Sequence, residues 1–157
     1  MKENTKRLLI SIALPIIVGA ISGLLTRSAM QDFQTLTKPP LSPPAWLFPV
    51  VWTVLYILMG YSSYLIKIAN ADITTKADAL MIYHYQLIAN FLWPIFFFNF
   101  GWYLFSFVWL LLLWVLVFFM IRLFYGISKT AALLNIPYFL WLSFAAYLNF
   151  AIWWLNR

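Results

Sequence analysis

The 157-residue sequence predicts an all-α membrane protein, a five-transmembrane-helix bundle with a proline-rich loop between helices 1 and 2. Three observations carry that expectation. The chain is 65% hydrophobic and only 9% charged, whereas a soluble domain is about half apolar and about a quarter charged. Its mean hydropathy is +0.89. The few charges also fall at intervals that leave uncharged runs of membrane-crossing length between them. With no cysteine, thiolate metal sites and a disulfide framework are excluded. The net charge of +6, spread thinly over an apolar chain, suits membrane orientation signals and argues against nucleic acid as a partner.

Each span follows from these runs. Leu8 to Thr26 is uncharged between Arg7 and Arg27, which predicts a first helix over about 8–26. Its apolar stretch exceeds a signal-peptide core and no small-x-small cleavage site follows, so a retained helix is expected. Four prolines then fall between Pro39 and Pro44, and a second helix is expected over 45–66. Ala79 to Ile121 is uncharged over 43 residues. As one helix that run would be about 65 Å long, roughly twice the hydrocarbon thickness. It must turn back, and Asn99-Phe100-Gly101-Trp102 is the best breaker, giving helices over 80–98 and 102–122. The last run predicts a fifth helix over 131–154. Together they make a single membrane domain, 1–157.

Five spans put the termini on opposite sides. Lys2, Lys6, Arg7, Lys67, Lys76, Arg122 and Lys129 share the N-terminal side, against Arg27, Lys38 and Arg157 on the other. The positive-inside rule then predicts a cytoplasmic N-terminus and an outside C-terminus. Trp46, Trp102, Trp153 and Trp154 would form an aromatic belt at the outer ends.

Apart from Arg122, the last residue of the fourth, the expected spans contain no Asp, Glu, Lys or Arg, since Glu3, Asp32, Asp72 and Asp78 fall in expected tails or loops. Intramembrane proton relays and paired-acid catalysis are therefore excluded. His84, alone and near the inner end of helix 3, reads as an interfacial side chain and not as an iron ligand; no metal site is expected. What stays polar in the membrane is amide and aromatic. Trp52 and Tyr56, like Gln86 and Asn90, are four apart, and Asn90 and Trp93 are three apart, so each set shares a helix face. Counted at 1.5 Å per residue, Trp52, Tyr56, Asn90, Trp93, Trp141 and Ala145 lie about 8–20 Å below the outer ends of their spans. One slab of indoles and amides suits a large, flat, mostly apolar ligand. It equally suits polar glue between helices. Both readings stand at this point.

Pro15, Pro94 and Pro137 are expected inside helices, where each would introduce a kink. Gly19 and Gly23 form a GxxxG spacing that points to close packing within the bundle. The run Lys38-Pro39-Pro40-Leu41-Ser42-Pro43-Pro44 predicts a stiff crossing that could roof the slab.

In order and spacing, these segments resemble the TspO/MBR family of tryptophan-rich sensory proteins and translocator proteins (the peripheral-type benzodiazepine receptors). The resemblance rests on Leu36-x-Lys38-Pro39, Pro43-Pro44 and Val51-Trp52-Thr53-x-Leu55-Tyr56-x-x-Met59-Gly60. It continues through Gln86-Leu87-x-x-Asn90-x-x-Trp93 and Pro137-Tyr138-x-x-Trp141-x-x-Phe144-Ala145-x-x-Leu148-Asn149. It implies a homodimer in a bacterial cell membrane, with no obligatory cofactor. The ligands it implies are protoporphyrin IX, haem, and isoquinoline or benzodiazepine-type molecules. Ligand-binding residues carried over are Trp52, Asn90, Trp93, Tyr138, Trp141 and Ala145, with Tyr56 joining them from its place in the slab. Trp141 is also the implied participant in light-dependent porphyrin degradation. Two departures bear on this. Asp32-Phe33 stands where the family has a Trp-Tyr pair, so enclosure by the loop is expected to be weaker. Phe150 replaces the tyrosine of the cholesterol motif, and only the loose pattern Leu123-x-Tyr125-x-x-x-Lys129 remains. The functions in view are a tetrapyrrole receptor or sensor, a transporter of hydrophobic molecules, and a membrane scaffold without ligand turnover.

Overall fold

In the computed structural model, which describes residues 2–157, the helices run α1 Lys2–Thr26, α2 Ala29–Phe33, α3 Leu47–Ile68, α4 Ile73–Pro94, α5 Tyr103–Ile127, α6 Lys129–Leu133 and α7 Ile136–Leu155. A π-helical turn, Ile95–Asn99, extends α4. Five helical units are long and apolar enough to cross a membrane, as the charge spacing predicts.

Several helices outrun their apolar stretches, because caps and turn chemistry, not hydropathy, set helix ends. α1 begins at Lys2, so Glu3, Lys6 and Arg7 lie on its first turns and not in an extended tail. Glu3 meets Arg7 there at 3.2 Å in an exposed pair of little energetic weight. α4 begins at Ile73, not near Leu80, because Asp72 caps it, accepting from the Thr74 and Thr75 amides at 3.1 and 3.2 Å. Asp78 and Lys76 are therefore helical. Lys76 folds back and donates to the Lys67 and Ala69 carbonyls at 3.0 Å each, closing the C-terminus of α3. Asp32 is likewise helical, in α2.

Two of the three prolines do something other than kink a helix in mid-course. Pro94 cannot donate to the Asn90 carbonyl, and the chain beyond it widens into the π turn, closed by Phe100 N–H on the Ile95 carbonyl at 3.2 Å. Gly101, at φ 63°, then reverses direction where a breaker was expected. Pro137 lies in the first turn of α7, after a break at Leu134–Asn135, where its missing N–H costs nothing. Pro15 is interior to α1, and Pro94 to the helical run that the π turn continues.

The helices form a ring. α1 packs along α3 and touches α4, α4 packs on α5, and α5 packs on α7. Gly60 permits a close backbone approach of α1 to α3: a Cβ there would lie 2.5 Å from Ile12 Cα and 2.6 Å from the Ser11 carbonyl. Buried stripes recur at three- and four-residue steps, such as Ser106, Leu110, Leu113, Val117, Met120 and Phe124 on α5. The ring closes differently between α3 and α7. Their backbones stay apart over nearly their whole lengths, and side chains span the seam.

Candidate functional site

Four of the residues expected at the site meet at the centre of the bundle. Tyr56 on α3 and Asn90 on α4 are each one helical turn from a partner, Trp52 and Gln86, so each helix presents a pair. Tyr56 Oη donates to Asn90 Oδ1, Asn90 Nδ2 donates to Tyr138 Oη, and Tyr138 Oη donates to Gln86 Oε1, each at 2.8 Å. Gln86 Nε2 ends the chain on Met59 Sδ at 3.8 Å. Trp52 stacks on Tyr56 at 5.5 Å between centroids and meets Tyr138 edge-on at 6.1 Å.

Space for Tyr56 comes from α1. A Cβ on Gly19 would lie 2.1 Å from Tyr56 Cε2, so this half of the GxxxG pair receives a ring from the bundle, as internal packing predicts. Nothing lies within 4 Å of a Cβ on Gly23.

Trp93 belongs to a neighbouring node. Its Nε1 donates to Asn149 Oδ1 at 2.9 Å, and Asn149 Nδ2 donates to the Tyr103 carbonyl at 2.8 Å. Ser106 Oγ approaches the same Asn149 oxygen at 3.2 Å, so the node ties α4, α5 and α7. Trp93 also stacks on Phe97 of the π turn at 5.3 Å. Trp141 lies elsewhere again. It lines a groove of about 460 Å³ at the α3–α7 seam and packs against Phe48 and Phe144 at 5.9 and 5.6 Å. Ala145 is buried on the face of α7 that also carries Tyr138, Leu142 and Asn149.

Sequence reasoning left Gln86, Met59 and Gly19 off the candidate set. Gln86 had a visible signal, its four-residue spacing from Asn90. Met59 stands in the Tyr56-x-x-Met59-Gly60 motif and Gly19 in the GxxxG spacing, but a thioether and a glycine in apolar helices read as ordinary packing. His84 is exposed and makes an edge contact with Tyr83 at 5.5 Å. No grouping of three or more His, Asp or Glu that could hold a metal occurs among the described residues.

The loop between α1 and α3 lies against the same end of the bundle as the Trp93 node. Phe33 of α2 packs on Phe97 and Phe98 at 5.7 and 5.4 Å. Tyr147 Oη donates to the Pro40 carbonyl at 3.0 Å. The central cluster thus holds neutral donors and acceptors among aromatic faces. It can stack on a flat ring and offer it amide or phenol hydrogen bonds, but it has no ionised group for acid–base work.

The TspO/MBR family pattern matches residues 11–155. The chain is 35% identical to the tryptophan-rich protein TspO of Chlorobaculum tepidum, over 99% of each chain. It is 34% identical to the protein CrtK of Rhodobacter capsulatus, over 88% of this chain and 85% of that one. Similarity to the translocator protein of Ovis aries is 38% identity, over 80% of this chain and 75% of the other. Five apolar spans and a match over nearly the whole sequence agree: the chain is an integral membrane protein and belongs to the TspO/MBR family.

Proposed function

We propose that this protein is a membrane receptor or sensor for tetrapyrroles, protoporphyrin IX or haem, and for similar flat apolar ligands such as isoquinolines and benzodiazepines. The ligand sits between α3, α4 and α7, at Trp52, Tyr56, Asn90 and Tyr138, with Trp93, Trp141 and Ala145 around it. One observation carries the reading: the Tyr56–Asn90–Tyr138–Gln86 chain is uncharged, buried at all but its half-buried Tyr56 end, and flanked by the Trp52 indole. Such a chain can exchange its internal hydrogen bonds for bonds to a ligand without exposing a charge to lipid. The protein works as a homodimer in a bacterial cell membrane, N-terminus in the cytoplasm.

Titration of purified protein with protoporphyrin IX tests this. Saturable quenching of tryptophan fluorescence supports the receptor. Flux of the porphyrin across sealed vesicles without saturable quenching supports a transporter, and neither response favours a scaffold.

A second reading, light-dependent porphyrin degradation, draws on the position of Trp141 at the edge of the site. An excited porphyrin can sensitise oxygen or oxidise a nearby indole, so no acid–base pair is needed. Illumination of the complex in air should yield a defined product that Trp141→Phe abolishes while binding persists. Equal bleaching in both proteins and in detergent alone would leave a binding protein only.

A further inference from the structure

Two parts of the bundle's wall, the loop and the α3–α7 seam, are built differently. The loop is fastened. Thr37 N–H donates to Asn156 Oδ1 at 2.9 Å, and Asn156 Nδ2 donates back to the Thr37 carbonyl at 2.9 Å. The same amide also donates to the Ile152 carbonyl at 2.8 Å, so one side chain at the end of α7 grips both polar groups of a loop residue. Tyr147, farther down α7, holds the Pro40 carbonyl, and Phe33 is wedged on the π turn. Lifting the loop breaks polar contacts in sequence positions more than a hundred residues apart.

The seam is apolar instead. Val50, Val51 and Val54 of α3 face Leu140, Trp141 and Phe144 of α7 across the groove. Val54 and Leu140 are 51% and 63% exposed, so the walls open onto the bundle surface that membrane hydrocarbon would cover. Two aromatic edges cross the seam, Phe48 on Trp141 and Trp52 on Tyr138. The second of these pairs already belongs to the cluster. Parting the walls exchanges hydrocarbon contacts for hydrocarbon contacts, which carries little driving force either way in lipid. A flat apolar ligand is also concentrated in the bilayer and not in water.

We propose that the ligand passes laterally between α3 and α7, through the bilayer, while the loop stays fastened to α7. This route rests on the tetrapyrrole reading above. It makes Val54 and Leu140 the jambs of a lipid-facing door, with Trp52 and Tyr138 just inside.

The absence of cysteine makes the test direct. Two double variants, Thr37→Cys with Asn156→Cys and Val54→Cys with Leu140→Cys, are bridged by the same short bifunctional, reducible thiol reagent. Protoporphyrin IX association and dissociation in lipid nanodiscs are followed by the porphyrin's own fluorescence, before bridging, after it, and after reduction. Each protein is its own control, so altered folding is seen in the unbridged state. Bridging the seam is expected to slow association and dissociation together by about tenfold or more, reversed by reduction, because a barrier to passage affects both directions. Bridging the loop is expected to leave both rates within about twofold of the unbridged protein. A loop bridge that blocks binding, or a seam bridge without effect, overturns the lateral route. Wild-type protein that shows no saturable binding overturns the tetrapyrrole reading, and the route with it.

Discussion

Asn90 uses both ends of one amide. Its oxygen accepts from Tyr56 and its nitrogen donates to Tyr138, so one side chain on α4 satisfies hydroxyls from α3 and α7. Asn90→Leu keeps the branched shape and removes both hydrogen bonds. We expect affinity for protoporphyrin IX to fall about five- to thirtyfold, equivalent to ~1–2 kcal/mol for one lost hydrogen bond to a buried ligand. Fluorescence titration beside circular dichroism checks this, and unchanged affinity with an intact helical spectrum would remove Asn90 from the site. Trp52, Tyr56 and Asn90 could be read from the sequence because spacing fixes which residues share a helix face. The separation of Trp93 and Trp141 from that cluster could not be. Depth along a helix follows from counting residues, whereas the direction a side chain takes around the axis depends on how its helix is rotated against its neighbours.

Helix ends and helix contacts were the elements least visible in the apolar runs. Asp72 Oδ2 accepts from the Thr74 hydroxyl and from the Thr75 and Thr74 amides, which holds its carboxyl below the usual carboxylate range. A depressed folded-state value means the charged cap stabilises α4 above the ordinary carboxylate pKa and is lost as pH falls through the lower folded value. Hydrogen exchange at the Thr74 and Thr75 amides should therefore gain protection from Asp72 near neutral pH and lose it in that acidic window. Asp72→Asn should flatten the dependence, and an unaltered profile would show that the carboxylate is not the source. Gly60 presents a different constraint. The added methyl of Gly60→Ala would meet backbone atoms of Ile12 and Ser11, which cannot swing aside as a side chain can. Separation of α1 from α3 should cost about 1–3 kcal/mol, measured as a lower thermal midpoint in detergent. A midpoint at the wild-type value would mean that the two helices have slack.

Across the whole molecule, the basic residues divide seven to three between the two ends of the bundle. That asymmetry predicts which end faces the cytoplasm. Gln31→Cys in α2 and Asn70→Cys between α3 and α4 are exposed single sites at opposite ends of the chain's first crossings. In intact cells a membrane-impermeant maleimide should label Gln31→Cys, and should reach Asn70→Cys only after lysis. The reverse pattern would invert the bundle.

The number of spans is legible from the charges together with run length: an ionised side chain is costly in hydrocarbon and marks where the chain leaves the membrane, while the 43-residue uncharged run is too long for one crossing and must turn at the breaker around Gly101. Two faces of the central cluster, Trp52–Tyr56 and Gln86–Asn90, were equally determined by helical periodicity. Tertiary structure decided the rest. It set which helix lies beside which, placed Tyr138 between Asn90 and Gln86, and sent Trp141 to the α3–α7 seam. It also closed Asn156 onto Thr37 at the far end of the sequence. In a chain this apolar, every helix face is able to lie against lipid or protein, so hydropathy cannot orient one helix about its axis. Packing and the need to pair each buried polar atom choose the orientation, and both exist only once all five spans are assembled.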